Sequence, residues 1–280
     1  MWKFRALISL LAIAPLTALA SDAATSSARF TYEGFLGGVK IGVATANVAI
    51  APDQYAAKLE LETAGVAGLV FDWRHASLAT GTPTADGEAP FEGLVYRNDN
   101  LWKGKNRFIE IAYRDRVAEI AAAEPHPVQD EGRPAVDEAL RKDVLDPLSA
   151  IIALGQRIEQ TGSCAASFAV FDGRRRYQMI VEDEGASEVR KSRYAPFGGE
   201  TRVCSFVFER VAGFKKDSDK PPTAGAAFIR RAKPDAPLMP VKIAVDSKYG
   251  LAVLHLKDVR QIDAELAALA AKKLEVTKPE

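Results

Sequence analysis

The stretch SFAVFDGRRRYQMIVED, Ser167 to Asp183, sets three consecutive arginines just after an Asp-Gly pair. It is either a grip for phosphate or nucleic acid, or the tip of a β-hairpin whose neighbours are basic. Apolar residues alternate with polar ones on both sides of the pair, at the period of two that a strand imposes. Asp-Gly between two such runs signals a two-residue type I′ turn, because both central residues of that turn need φ > 0. In that register Phe171 faces Arg174, Val170 faces Arg175, Ala169 faces Arg176 and Phe168 faces Tyr177. Phe168, Val170, Arg175, Tyr177, Met179 and Val181 then share an apolar face, while Arg174, Arg176 and Gln178 share the other, solvated face with Phe171. The three arginines therefore do not converge. Arg174 and Arg176 read as surface charges that blunt a hairpin edge. Arg175, at the tip on the apolar face, reads as a stem along Val170 and Tyr177 whose guanidinium seeks a carboxylate or, failing that, an anionic ligand.

Outward from this hairpin the same period recurs. RFTYEGFL ends at Gly37-Gly38, and VKIGVATANVAI and YAAKLELET follow. A strand beginning near Phe71 comes next, then FEGLVYRN, NRFIEIAYRD, SEVRKSRY, TRVCSFVFERV, AAFIRRA, PVKIAVDS and LAVLHLKDV. About a dozen short strands joined by Gly, Pro, Asn and Asp turns predict a mainly β chain, an antiparallel meander curled into a barrel or half-barrel or split into two packed sheets. Two segments depart from the pattern. LDPLSAIIALGQRIEQ predicts a helix capped by Asp146, with Pro147 where its missing N–H costs nothing and Leu148, Ile151, Ile152 and Leu154 on one face. RQIDAELAALAAKK predicts a C-terminal helix, docked on the surface, or else a frayed tail or a partner-binding helix. The segment from Glu124 to Leu140 reads as a loop.

The first twenty residues carry Lys3 and Arg5, an apolar run from Ala6 to Ala14 and the Ala18-Leu19-Ala20 cleavage pattern, which predicts a secretory leader cut after Ala20. The run is well short of the roughly 20 residues a membrane span needs, and Pro15 interrupts it. Residues 21–260 are expected to form a single β domain, with 261–280 as the helix or tail. The mature chain is expected to be soluble and exported. Cys164 and Cys204 are the two cysteines. In an oxidising compartment they are expected to pair, and closing a loop of about 40 residues stabilises by roughly 3–4 kcal/mol in the chain-entropy model. A redox pair usually reads C-x-x-C, and a zinc site needs more ligands than this spacing supplies.

The chain has 37 basic and 37 acidic residues, and both basic residues of the leader are lost on cleavage. That balance argues against a general nucleic-acid binder, which needs a concentrated basic field. The three histidines, His75, His126 and His255, have no partner at metal-ligand spacing. Neither a nucleophile elbow, a P-loop nor a dinucleotide fingerprint occurs. No cofactor and no metal are expected.

The helix DPLSAIIAL, Asp146 to Leu154, followed by FDGRRRYQM, Phe171 to Met179, resembles the bacterial envelope proteins grouped as domain-of-unknown-function family 3108. TYEGFLGGVKIGVA near the start and PLMPVKIAV late in the chain stand in the matching order. Cys164 and Cys204 fall where a subset of the family places a pair. The resemblance implies a periplasmic fold of the broken-barrel or β-spiral type and no established activity. Many members carry a tryptophan strand late in the chain, where AAFIRRAKP stands here. The motif residues Asp146, Pro147, Ser149, Asp172, Gly173, Arg175 and Tyr177 are the candidate rim of a ligand site. The function expected is a non-enzymatic binding or scaffolding role, in which a concave apolar surface takes a lipid or a segment of an envelope protein. The alternative is an envelope hydrolase, for which His75 with Asp72 is the local pair to check. A third possibility is strand addition at an exposed sheet edge.

Overall fold

The computed structural model describes residues 26–65, 67–68, 72–84, 91–102, 104–127, 133–215 and 223–262. The expected leader at 1–20 and all but the first two residues of the expected C-terminal helix lie outside the described residues. The described residues form thirteen strands: β1 (Ser26–Leu36), β2 (Val39–Ile50), β3 (Tyr55–Thr63), β4 (Trp73–Pro83), β5 (Phe91–Trp102), β6 (Lys105–Arg114), β7 (Val117–Glu124), β8 (Ala166–Phe171), β9 (Arg176–Val189), β10 (Gly199–Ala212), β11 (Thr223–Arg230), β12 (Met239–Ser247) and β13 (Gly250–Arg260). A helix, α1 (Pro147–Thr161), separates β7 from β8, preceded by a 3-10 turn at Glu138–Arg141.

All the strands join one sheet in the order β7-β6-β5-β4-β3-β2-β1-β13-β12-β11-β10-β9-β8. Every strand pairing is antiparallel and joins strands consecutive in sequence, except that β1 pairs with β13 and that β7 and β8 stand at the two edges. Alternation sets the inner face: Phe30 and Tyr32 of β1, Ala44 and Ala46 of β2, Tyr55 and Ala57 of β3, Ala79 of β4 and Leu256 of β13 are buried. The sheet curls around that face, and the many alanines on it leave room for α1, which packs on β3, β4, β5 and β8.

The edges β7 and β8 do not pair directly. An extended segment between them does the work: Lys142 bridges Val117 of β7, and Leu145 bridges Val170 of β8. The Leu145 amide donates to Ala169 O at 2.8 Å, and the Phe171 amide donates to Leu145 O at 2.9 Å. One stretch of chain thus stitches both edges of a nearly closed barrel and covers groups that would otherwise template aggregation. It then turns inward at Asp146 to start α1.

Asp146 caps α1 as its sequence predicts, accepting from the amides of Leu148 at 2.9 Å and Ser149 at 3.0 Å. Gly162, at φ 73°, ends the helix in the left-handed region that glycine adopts without cost. Two residues on, the chain is anchored again. Cys164 is bonded to Cys204 on β10, with Cα atoms 6.1 Å apart, and both are fully buried. The neighbouring Asp183 accepts from the Cys164 amide at 2.9 Å and pairs with Arg202 at 2.6 Å.

Four sequence expectations need correction. The hairpin after β8 is not a two-residue turn: Phe171 pairs with Arg176 and Val170 with Tyr177, so Asp172 to Arg175 form a four-residue loop. The reason is the Asp172 side chain, whose Oδ1 accepts from the amides of Arg174 at 2.9 Å and Arg175 at 2.7 Å and so builds the turn itself. Sliding the register by two keeps its parity, so the apolar face survives while Arg175 leaves the strand. Turns with φ > 0 at both central residues are instead Gly37-Gly38, between β1 and β2, and Asp115-Arg116, between β6 and β7. Strand β7 was not foreseen, since VAEIAAAE is alanine-rich and lacks β-branched alternation. SEVRKSRY is not a separate strand: its first half continues β9 through Gly185, and the rest is loop. The segment read as loop from Glu124 contains the 3-10 turn.

Candidate ligand site in the barrel mouth

Helix α1 lies across one end of the barrel. There Gly155 comes so close to Leu238, between β11 and β12, that a Cβ would stand 2.8 Å from its carbonyl oxygen. The other end is ringed by the turns β1–β2, β5–β6, β8–β9 and β12–β13. Burial follows this polarity. Tyr55, Ala57, Ala79 and Tyr96, beside α1, are buried, whereas Leu59, Leu61, His75, Asn98 and Asn100, further along the same inner faces, are only partly covered. The interior is therefore a cup whose floor is the helix.

A polar column rises from that floor. The Asp146 carboxylate, with no exposed surface, also accepts from the Ser149 hydroxyl, and Ser149 Oγ lies 2.6 Å from the Tyr55 hydroxyl. Burial raises the Asp146 carboxyl from its ordinary 3.8 to about 6, and the hydrogen bonds from Ser149 and Leu148 hold it from going higher. Burial likewise raises the phenols of Tyr55, Tyr96, Tyr113 and Tyr177, each reinforced by the Asp146 charge nearby. Tyr96 feels both Asp146 below and Asp172 above, and Tyr177 feels Asp172 and Arg175.

At the top of the column is the hairpin loop. Gly173, at φ 89°, sits against Ile109 of β6, where a Cβ would come within 2.4 Å of the Ile109 side chain. The close approach carries the loop over the barrel mouth. Arg175 donates through Nε at 2.8 Å and Nη2 at 2.7 Å to Asp172 Oδ2. The salt bridge expected of Arg175 is present, but it lies within the loop. Arg174, read as a solvated charge, instead donates to Pro125 O at 2.6 Å and faces a pocket, and Phe171, placed on a solvated face, is buried.

That pocket, of about 260 Å3, is lined by Arg107, Arg133, Arg174, Arg175, Asp172, His75, Asn98 and Asn100, with Phe108 and Ile109. A wider groove of about 440 Å3 lies on the outer face of the β3–β5 ladder around Ala76, between Glu60, Glu62, Arg74 and Asp99. The apolar recess is smaller. Leu148, Ile151 and Ile152 of α1 face Tyr32, Leu59, Leu61, Ile243 and Leu254 across a crevice of about 120 Å3. It is well under the several hundred Å3 typical of a small-molecule cavity. The concave apolar surface expected from the sequence is thus largely covered by α1.

Asp146, Pro147 and Ser149 fall at the floor, and Asp172, Gly173, Arg175 and Tyr177 at the mouth; Tyr96, which feels the charges of both Asp146 and Asp172, stands between the two groups. Sequence reasoning missed Tyr55, Tyr96, Asn98, Asn100, Arg107 and Arg133. A signal existed in YRNDN, where Tyr96, Asn98 and Asn100 set polar groups on consecutive inward positions. His75 stacks on Trp73, with ring centroids 6.2 Å apart, and Asp72 lies 3.3 Å from Arg74 rather than beside the imidazole. Among the described residues no group of three metal-ligating side chains occurs, and no helix is long and apolar enough to cross a membrane.

Fold and interior together define a barrel-like β-protein closed at one end by a helix. Residues 29–257 match the family described as protein of unknown function, DUF3108, and the chain belongs to that family. Among solved structures it is similar to a β-barrel-like protein of the domain of unknown function DUF1849 from Brucella abortus, with TM-score 0.53 and 12% identity. The match covers 86% of this chain and 100% of that one. No curated protein matches the chain.

Proposed function

We propose that this protein is a non-enzymatic binding protein of the bacterial envelope, exported to the periplasm, that takes part of a lipid or of an envelope-protein segment into the barrel mouth. The observation that carries the reading is the cup: α1 fills one end of a concave face, and the hairpin end leaves apolar and polar walls partly uncovered. The crevice of about 120 Å3 has room for the end of a chain or a single side chain, not for a whole acyl chain. Export is supported by the leader pattern and by a buried disulfide, which persists in oxidising compartments. Against the hydrolase reading, Asp72 is engaged by Arg74 and the buried Asp146 is spent on capping α1.

The test is native mass spectrometry of residues 21–280 purified from a periplasm without detergent. A discrete added mass that disappears on organic extraction supports the reading and identifies the cargo. A clean mass with no adduct, together with no partner captured from the same compartment, overturns it.

A further inference from the structure

We propose that the apolar turns on one side of the barrel mouth dock the protein on the surface of a phospholipid bilayer; this goes beyond the cargo reading above and stands on different residues. Around the barrel the order β6-β5-β4-β3-β2-β1-β13-β12 sets the turns β5–β6, β1–β2 and β12–β13 along one half of the mouth. Large apolar side chains stand exposed at all three. Trp102 closes β5 with 45% of its surface exposed, and Val39 opens β2 with 52%. Tyr249 lies in the β12–β13 turn with 71% exposed, and Leu251 of β13 has 48%. Exposed apolar residues scattered singly need no explanation, but four gathered on one rim mark a contact surface.

The shape of the rim selects a bilayer over a protein partner. A Cβ added at Gly37, Gly38, Gly104 or Gly250 would meet nothing within 4 Å beyond its chain neighbours, so each turn projects clear of the barrel. The β1–β2 and β12–β13 turns are tied where the Gly37 amide donates to Leu251 O at 3.2 Å, while β5–β6 stands apart with β4 and β3 between. Separate prongs match a protein face poorly, because such a face needs a contiguous, closely packed patch. A bilayer deforms around them. The chemistry agrees: Trp and Tyr rings settle at the level of lipid headgroups, and a lysine beside them lays its stem along the apolar layer and keeps its ammonium in water. Lys105 is the ladder neighbour of Trp102, and the Lys248 ammonium lies 4.6 Å from the centre of the Tyr249 ring. Of the acids near these tips, Glu33 is held by Lys40 at 2.6 Å and Asp72 by Arg74 at 3.3 Å, while Asp246 stands opposite Leu251. Charge there is mixed, so apolar contact sets the affinity.

The prongs border the open end of the cup, so docking turns the mouth toward the lipid and α1 away from it. Leu61 and Leu254, which line the apolar crevice, lie on β3 and β13, strands that lead inward from this rim. A chain end leaving the bilayer can therefore enter the crevice without crossing water.

The experiment is co-sedimentation of residues 21–280 with vesicles of phosphatidylethanolamine and phosphatidylglycerol, and fluorescence with the same vesicles brominated in their acyl chains. Trp73 and Trp102, the tryptophans beyond the expected leader, pair across the β4–β5 ladder at this rim, so the parent protein carries its own reporter. Saturable binding with quenched fluorescence is expected. Tyr249→Ser and Leu251→Ser should each weaken it about fivefold or more. Leu94→Ser, at a side chain near the start of β5 exposed as far as Leu251, should leave it unchanged. Because quenching is read on the parent protein, the test stays open if a variant fails to fold. No vesicle binding, binding without quenching, full binding in both rim variants, or equal loss in Leu94→Ser overturns the proposal. Self-association or capture of an envelope protein that the rim variants abolish, with no vesicle binding, assigns the rim to a protein partner and overturns it too. Vesicle binding by protein that carries no adduct in the native mass spectrum upholds this inference while the cargo reading fails; an adduct with no vesicle binding does the reverse.

Discussion

Asp146 is fully buried, and the amides of Leu148 and Ser149 with the Ser149 hydroxyl offset only part of the cost of charging it there. Its raised pKa means that the folded chain binds a proton more tightly than the unfolded one. The resulting stability is fully present below the ordinary value of 3.8 and is lost as pH rises through about 6. Asp146→Asn keeps an acceptor for the two amides and removes the titration, so the urea midpoint of the variant should vary less between pH 4 and pH 7 than that of the parent. An equal slope in both would show that folding does not raise the carboxyl's pKa. Asp146→Ala removes the cap and leaves the Ser149 hydroxyl with Tyr55 as its partner, and is expected to cost about 1–2 kcal/mol by urea unfolding. Asp183 behaves in the opposite sense. Burial raises it, but the hydrogen bonds from Ser163, from the amides of Gly185 and Cys164 and from Arg202 prevail and hold it well below the usual carboxylate range. Its contribution is present above that range and is lost only in strong acid.

At the scale of elements, α1 shows how tertiary contact overrides local propensity. A glycine inside a helix costs roughly 1 kcal/mol against alanine, so Gly155→Ala read from the sequence should stabilise. In the fold the added Cβ meets the Leu238 carbonyl oxygen at 2.8 Å, main chain that cannot swing aside. The variant is therefore expected to lose about 1–3 kcal/mol, read from the urea midpoint; a gain would mean that the β11–β12 connection yields. The helix itself was legible, because its cap, its proline and its apolar positions are all local signals. So were most strands, whose alternation is a local consequence of burying one face. The β8–β9 turn was legible only in kind. Asp-Gly fits two turns, and the choice between them lay in the Asp172 side chain binding its own backbone and in Gly173 packing on Ile109, more than sixty residues away in sequence. Strand β7 carried no pattern of its own and is held by its partners.

For the whole molecule, the fold rests on two long-range closures, of which the sequence announced one. The seam made by Lys142 to Leu145 has no signature, since extended main chain can bridge two edges with almost any side chains. The candidate site shares that difficulty: Arg107, Arg133 and Arg174 meet only after the barrel has curled, and nothing in their spacing says so. The disulfide was legible from an even cysteine count behind an expected leader. It ties the end of α1 to β10 across a separation of 40 residues, which in the chain-entropy model is worth roughly 3–4 kcal/mol. For a chain of this size each kcal/mol moves the melting temperature by about 2–4 °C, so a Cys164→Ala, Cys204→Ala double variant is expected to melt roughly 6–16 °C lower by calorimetry. Position also shapes the response. Cys164 leads out of the helix that forms the floor of the cup, so its release should speed hydrogen exchange in α1 more than in β1, β2 and β13 at the far wall. Uniform acceleration would instead mean that the bond acts on the unfolded chain alone. An unchanged melting temperature would mean that burial of α1, not the covalent link, holds the floor in place.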